Sequence, residues 1–219
     1  MTNKELFLLG ESIFDSYIKK YQYPFEVLPH IKDIILEISS LLETDFLKLK
    51  EDVFVHKSAI ISDKATIIGP CIIDSMAEIR PNAFIRGNVI IGKNCVVGNS
   101  CEIKNSLLYD NVQVPHFNYV GDSILGNYSH MGAGSITSNV KSDKSKVIIK
   151  NKEEKIETNL KKVGAFLGDY VEIGCNSVLT PGTIVGSNTT IYPLVMTRGV
   201  IDSNMIVKSM ENIVKKLEK

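Results

Sequence analysis

The sequence predicts a mainly β solenoid of hexapeptide repeats, preceded and followed by helices. Three observations predict it. From Val55 an aliphatic residue recurs at every sixth position, through Ile61, Ile67, Ile73, Ile79, Ile85, Ile91, Val97 and Ile103. Four residues after each of the first eight stands a small or slender one, at Ala59, Ala65, Cys71, Ala77, Ala83, Val89, Cys95 and Cys101. After a polar interruption the same beat returns at Leu167, Ile173, Leu179, Val185 and Ile191. A period of six matches neither the 3.6 of a helix nor the 2 of a single strand. It is the mark of stacked coils in which each hexapeptide buries one large and one small side chain.

The elements follow in order. Residues 1–50 read as a helical cap or connector. Leu6, Leu9, Ile13 and Tyr17 have helical spacing until Tyr23 and Pro24 interrupt them. A second helix from near Pro29 carries the stripe Ile31, Ile34, Ile35, Ile38, Leu41 and Leu42. The open first coil of the solenoid is its expected partner, because solenoid ends expose apolar core and unpaired backbone. Residues 51–202 form the repeat region. Its register slips by one residue at Leu108 and again at Leu125, with Val114, Val120, Met131 and Thr137 keeping the beat between and after. Residues 138–162 read as a protruding loop or hairpin, with Val147–Lys150 and Lys155–Thr158 as short strands around a charged turn. In residues 203–219, Ile206, Met210, Ile213, Val214 and Leu217 sketch a C-terminal amphipathic helix. Three hexapeptides per turn give about seven coils, a rod of roughly 30 Å at about 4.8 Å per layer.

Composition bounds the partners. Of 219 residues, 44% are hydrophobic, ample for a core. Twenty-five Lys and Arg balance 25 Asp and Glu, so no global field draws nucleic acid or an anionic membrane. Small molecules and sibling subunits are the expected partners. Cys71, Cys95 and Cys101 sit in the small slot of the repeat and read as buried thiols, without the paired spacing of a metal site. Charges at Lys4, Glu5 and Glu11 break the first apolar run, which is no signal peptide, and no stretch is long enough to span a bilayer. A cytoplasmic location follows.

Four segments carry chemistry: VPHFNYVGD from Val114 to Asp122, HMGAGSITSN from His130 to Asn139, AEIRP from Ala77 to Pro81, and CEIKNS from Cys101 to Ser106. Together they resemble the acetyltransferase half of the bifunctional sugar-1-phosphate uridylyltransferase/glucosamine-1-phosphate acetyltransferases, over nearly all of residues 51–202. SNVKSDKSKV, KKVGAFLGD and YPFEVL resemble the archaeal-type variant. The resemblance implies a left-handed parallel β-helix, a homotrimer with active sites between adjacent subunits, and acetyl-CoA as co-substrate with no metal required. It does not extend to the uridylyltransferase half, whose Gly-rich nucleotide loop has no counterpart in residues 1–50, so no uridylyltransferase activity is expected.

The same resemblance assigns residues. His116 matches the general base that takes a proton from the attacking amine, a task suited to an imidazole with an ordinary pKa near ~6.5. The Ala133 backbone N–H, between Gly132 and Gly134, matches the donor to the tetrahedral oxyanion. Arg80 and Lys104 match cations that hold sugar phosphate and hydroxyls. Tyr119 and Asn139 match further sugar contacts. His130 stands where bacterial enzymes place an asparagine on the sugar, and Val140 where they place a tyrosine. Lys144 and Lys146 flank Ser145, where a lysine is usual. Acetyl-CoA is expected near Gly174, Cys175 and Pro193. Apart from the resemblance, each of these also fits a plain structural role: corner, turn or solvated surface residue. The leading reading is an acetyl-CoA-dependent N-acetyltransferase of an amino-sugar 1-phosphate such as glucosamine-1-phosphate. The alternatives are transfer to another sugar or nucleotide-sugar acceptor and a non-catalytic trimeric solenoid.

Overall fold

The computed structural model describes residues 1–217 and contains a parallel β-helix whose coils each contribute a strand to three long sheets, here A, B and C. The repeat aliphatics form three inward columns. In sheet A, Val55, Ile73, Ile91, Leu108, Leu125, Leu167, Val185 and Ile201 stand in register. Sheet B stacks Ile61, Ile79 and Val97, and sheet C stacks Ile67, Ile85, Ile103 and Val120. From Ile73 onward the column residues are buried essentially to completion, each contributing about 1.5–3 kcal/mol relative to exposure. The two slips are real: Leu108 pairs with Ile91 and Leu125 with Leu108, so those coils are one residue shorter.

Between sheets the chain turns through left-handed residues. Asn82, Ser100, Phe117, Gly134, Asn176 and Leu194 mark the edge between sheets B and C, the BC edge. Asn105 and Asp122 mark the edge between C and A, the CA edge. Asn and Gly tolerate this conformation; Phe117 and Leu194, with bulky side chains, do not adopt it readily. Both are exposed at the BC edge.

The N-terminal segment departs from the expected end cap. Its helices are short, α1 at Asn3–Leu6, α2 at Asp15–Ile18, a 3₁₀ turn at Pro24–His30 and α3 at Ile31–Ser39. The single helix suggested by Leu6, Leu9, Ile13 and Tyr17 is broken at Gly10, and the Asp15 carboxylate accepts the freed N–H groups of Gly10 and Ser12. The whole segment lies along the outer face of sheet A and runs from late coils back to early ones. Leu6 O accepts from Ser187, Leu8 N donates to Asp169 at 2.6 Å, Tyr109 Oη donates to Asp15 at 3.0 Å, and Asn105 Nδ2 reaches Leu28 O. Phe7 stacks on Tyr109, with ring centres 5.0 Å apart, and Phe14 meets the same ring edge-on. Helix α3, its Ile31, Ile34, Ile35 and Ile38 buried, ends over the strands Cys71–Ile73 and Val89–Ile91. The edge of the first coil in sheet A is covered instead by the antiparallel strand Phe46–Lys50.

The two short strands expected within residues 138–162 are present as the hairpin Ile148–Asn151 and Glu154–Glu157, whose base folds against the late coils: Val147 and Ile149 are buried, and both press on Gly182. The expected C-terminal helix is corrected to strands. Met205–Ser209 continues the repeat in sheet B, pairing Ile206 with Thr190 and Val207 with Ile191, and Asn212–Lys215 returns antiparallel to it. Adjacent β-branched pairs favour strand over helix there, and the exposed edge of the last coil supplies a pairing partner. The end of that predicted helix, residues 218–219, lies outside the described residues.

Candidate active site

The sequence-predicted residues separate onto two edges and two faces. His116, Ala133, Gly174, Cys175 and Pro193 stack along the BC edge on successive coils. Gly134 N donates to His116 O at 3.0 Å, which seats the Ala133 turn directly over His116. Asn176 N donates to Ala133 O, and a Cβ at Gly174 would strike Pro193. The His116 side chain is exposed, with no hydrogen-bond partner among the described residues. Its backbone is fixed: the N–H donates to Asn118 Oδ1, while the Asn118 amide is buried and donates to Gly132 O and Ser135. The Ala133 N–H has no acceptor among the described residues.

Lys104, Tyr119 and Asn139 meet at the other side of sheet C. Gly121 has no side chain, so the Tyr119 ring lies over it; a Cβ there would sit 2.4 Å from the phenol oxygen. Asn139 Nδ2 donates to Tyr119 Oη at 3.1 Å and to Asp122 at 2.5 Å. Lys104 Nζ donates to the same Asp122 carboxylate at 3.0 Å. Burial, then the charges of Asp122 and Glu102, push the Tyr119 phenol up, keeping its proton on. The corners at Phe117 and Asp122 are at most about 16 Å apart, five residues at about 3.3 Å each. His116 at one corner, Lys104 near the other and Tyr119 between them border one face, the outer face of sheet C.

Not every predicted residue joins it. Arg80 lies on the BC edge, two coils before His116, and is gripped by Glu78 through Nε and Nη2 at 3.0 and 3.1 Å. It is therefore not beside Lys104. His130 faces outward from sheet B, its Nδ1 2.9 Å from Glu172. Lys144 is exposed at a turn and Lys146 donates to Asn159, so neither enters the cluster. Two residues that sequence reasoning missed do belong near it. Arg86 follows an inward aliphatic as Lys104 does, one coil earlier in sheet C, and pairs with Glu102. Asp122 is the common acceptor. A repeat-aligned reading by coil would have found Arg86; nothing short of three-dimensional register points to Asp122.

At the CA edge of the late coils, a cavity of about 580 Å³ opens between the hairpin and the solenoid. Lys141, Lys150, Lys152 and Arg198 surround it, with Ile148, Pro181, Met196 and Met210 as apolar wall. Lys141 and Lys152 are paired with Asp143 and Asp202 at 3.4 and 3.5 Å. Among the described residues no helix is long and apolar enough to cross a membrane.

Parts of the chain are similar to known proteins. Residues 67–163 match the family described as the GMPPB C-terminal domain. A bifunctional sugar-1-phosphate nucleotidylyltransferase/acetyltransferase of Sulfurisphaera tokodaii is 34% identical over 149 residues, covering 68% of this chain and 37% of its own. The bifunctional protein GlmU of Methanococcus aeolicus is 36% identical over 114 residues, 52% of this chain and 28% of its own. The repeat region is a relative of the acetyltransferase half of these enzymes. That of Wigglesworthia glossinidia brevipalpis, also named bifunctional protein GlmU, is 33% identical and covers 75% of this chain. The chain spans about a third of the length of these relatives. Among solved structures, a hexapeptide transferase family protein from Anaplasma phagocytophilum aligns over 76% of this chain and 80% of its own at 15% identity, TM-score 0.43.

Proposed function

We propose that this protein is an acetyl-CoA-dependent N-acetyltransferase acting on an amino-sugar 1-phosphate such as glucosamine-1-phosphate. The observation that carries the reading is the bare outer face of sheet C, bordered by His116 at one edge and by Lys104, Tyr119 and Asn139 at the other. An amino sugar laid across that face puts its amine toward His116 and its phosphate toward Lys104. His116 takes the amine proton as nitrogen attacks the thioester carbonyl, and the Ala133 N–H one coil above supports the oxygen that gains charge. General-base assistance of this kind is worth about 10²–10⁴ in rate, and one preorganised oxyanion donor about 2.7–4 kcal/mol.

The acyl donor runs along the later coils, across sheet C from the BC edge to the CA edge. Gly174, Cys175 and Pro193 continue the edge above Ala133, and the cavity ringed by Lys141, Lys150, Lys152 and Arg198 offers cations for its phosphates and an apolar wall for its chain. A homotrimer in the cytoplasm, each bare face closed by a neighbouring protomer, completes the reading. Closure by a neighbour would exclude the water that now reaches His116.

A second reading keeps the acyl transfer and changes the acceptor to a sugar carrying less charge or to a nucleotide-linked sugar. It is favoured by ion pairing: Lys104, Arg86 and Arg80 each already face a carboxylate. One assay separates the two. CoA release is followed with glucosamine-1-phosphate, galactosamine-1-phosphate, glucosamine and a nucleotide-linked amino sugar, against the His116→Ala protein. Turnover with a 1-phosphate, lost by about 10²–10⁴ in the variant, is expected; turnover only with the others supports the second reading, and none above the variant with any acceptor refutes both.

A further inference from the structure

We propose that Asp122 is a positioning residue that sets which hydrogen-bonding groups the CA edge offers to the acceptor. The inference rests on the acetyltransferase reading above and adds a residue to it. Asp122 is 4% exposed and sits at a left-handed corner, its backbone held by Lys104 O below and Gly164 N above. Its carboxylate gathers donors from the coils on either side of its own. Oδ2 accepts from Lys104 Nζ at 3.0 Å and from Asn139 Nδ2 at 2.5 Å, and Oδ1 accepts from Asn105 Nδ2 at 2.9 Å.

An ionised carboxylate only accepts hydrogen bonds, so its neighbours have no choice of orientation. Asn139 turns its NH₂ toward Asp122, and with one hydrogen on the carboxylate and the other on Tyr119 Oη, its carbonyl oxygen is left for an outside donor. Tyr119, accepting from Asn139, keeps its own O–H to donate. Lys104 spends one of three N–H groups on Asp122. The edge therefore offers one carbonyl acceptor, one phenol donor and ammonium donors, a pattern for a ligand carrying both a hydroxyl donor and anionic or hydroxyl acceptors. Tyr119 and Asn139 cannot hold that pattern alone, since an unanchored amide flips freely between its two faces.

The test is Asp122→Asn, whose Oδ1 still accepts one bond but whose NH₂ now faces donors. Initial rates with glucosamine-1-phosphate and acetyl-CoA should show the acceptor KM raised at least tenfold, with the acetyl-CoA KM within twofold of wild type. Asp169→Asn, a buried carboxylate at the corner between sheets A and B, is the control: it should leave both KM values alone. In a Lys104→Met background, Asp122→Asn should add much less than its effect in wild type. Should the variant fail to fold, NMR of the wild-type protein decides: a Lys104 ammonium signal protected from solvent exchange in the absence of any substrate is expected, and its absence overturns the inference. An unchanged acceptor KM overturns it as well. If no acceptor is turned over by wild type, the acetyltransferase reading falls, and the ammonium signal alone upholds or overturns the anchoring of Lys104.

Discussion

Sheets A and C are built by the same six-residue beat and carry the same stacked aliphatic columns inside, yet one is covered and the other bare. The difference lies in the residue beside each inward one. On sheet A the outward positions are Ile72, Ile90, Leu107, Ile124, Phe166 and Ile184, all completely buried beneath the N-terminal segment. On sheet C they are Phe84, Glu102, Tyr119, Ile136, Val178 and Met196, with Ile136 38% and Met196 54% exposed. The inward columns specify the solenoid; the outward residues assign each face to packing or to ligands. An apolar row requires an intramolecular cover, whereas a mixed polar and apolar row leaves a surface that can bind.

The sharpest way to break this contrast is Ile90→Asp. Although Ile90 points away from the coil interior, the substitution should destabilise about as much as Ile91→Asp, about 3–5 kcal/mol for an unpaired buried charge. A thermal melt matching wild type would show that sheet A is not covered in solution. Next comes Tyr109→Phe, which leaves the Asp15 carboxylate short of a partner under the N-terminal segment and should cost about 1–3 kcal/mol in a urea titration. No loss would mean that this clasp does not hold the segment down.

A smaller effect concerns the acids beneath the segment. Burial raises the carboxyls of both Asp110 and Asp169 above the usual range. A raised carboxylate pKa contributes stability fully at pH values below the unfolded value of about 3.9, and that contribution is lost as pH rises through the folded value. Asp110→Asn keeps the oxygen that accepts from Lys93 N and removes the buried charge. It should raise the melting temperature at pH 7, with a gain that shrinks toward pH 4. A variant less stable than wild type at pH 7 would show that the charge is compensated. The smallest stability effect is expected on the bare face, where Ile136→Asp should cost under about 0.5 kcal/mol, as surface changes usually do. A large loss would mean that sheet C is covered after all.

Much of this contrast was legible in the chain. The large and small slots fix the columns and both register slips, because inward positions tolerate little but aliphatics. The triplets Cys71-Ile72-Ile73, Val89-Ile90-Ile91 and Ala165-Phe166-Leu167 also carry an apolar middle residue at every third hexapeptide, a signal that one face is covered which hexapeptide counting alone passes over. The C-terminal hairpin is hidden in the sequence because Ile206, Met210, Ile213 and Val214 fit a helical stripe, while the free edge of the last coil, invisible in sequence, decides for strands. In the candidate site, His116 and Ala133 fall together because they follow inward positions on adjacent coils. Arg80 and Lys104 look equivalent in sequence yet leave the coil at different edges, a distinction made only by whether the preceding aliphatic belongs to sheet B or sheet C.

The most direct test is a crystal structure of the protein with glucosamine-1-phosphate and CoA. The account predicts the sugar across the outer face of sheet C, its amine within about 2.6–3.2 Å of a His116 ring nitrogen and its phosphate on the Lys104 side. A sugar bound away from that face, or with its amine remote from His116, would contradict it.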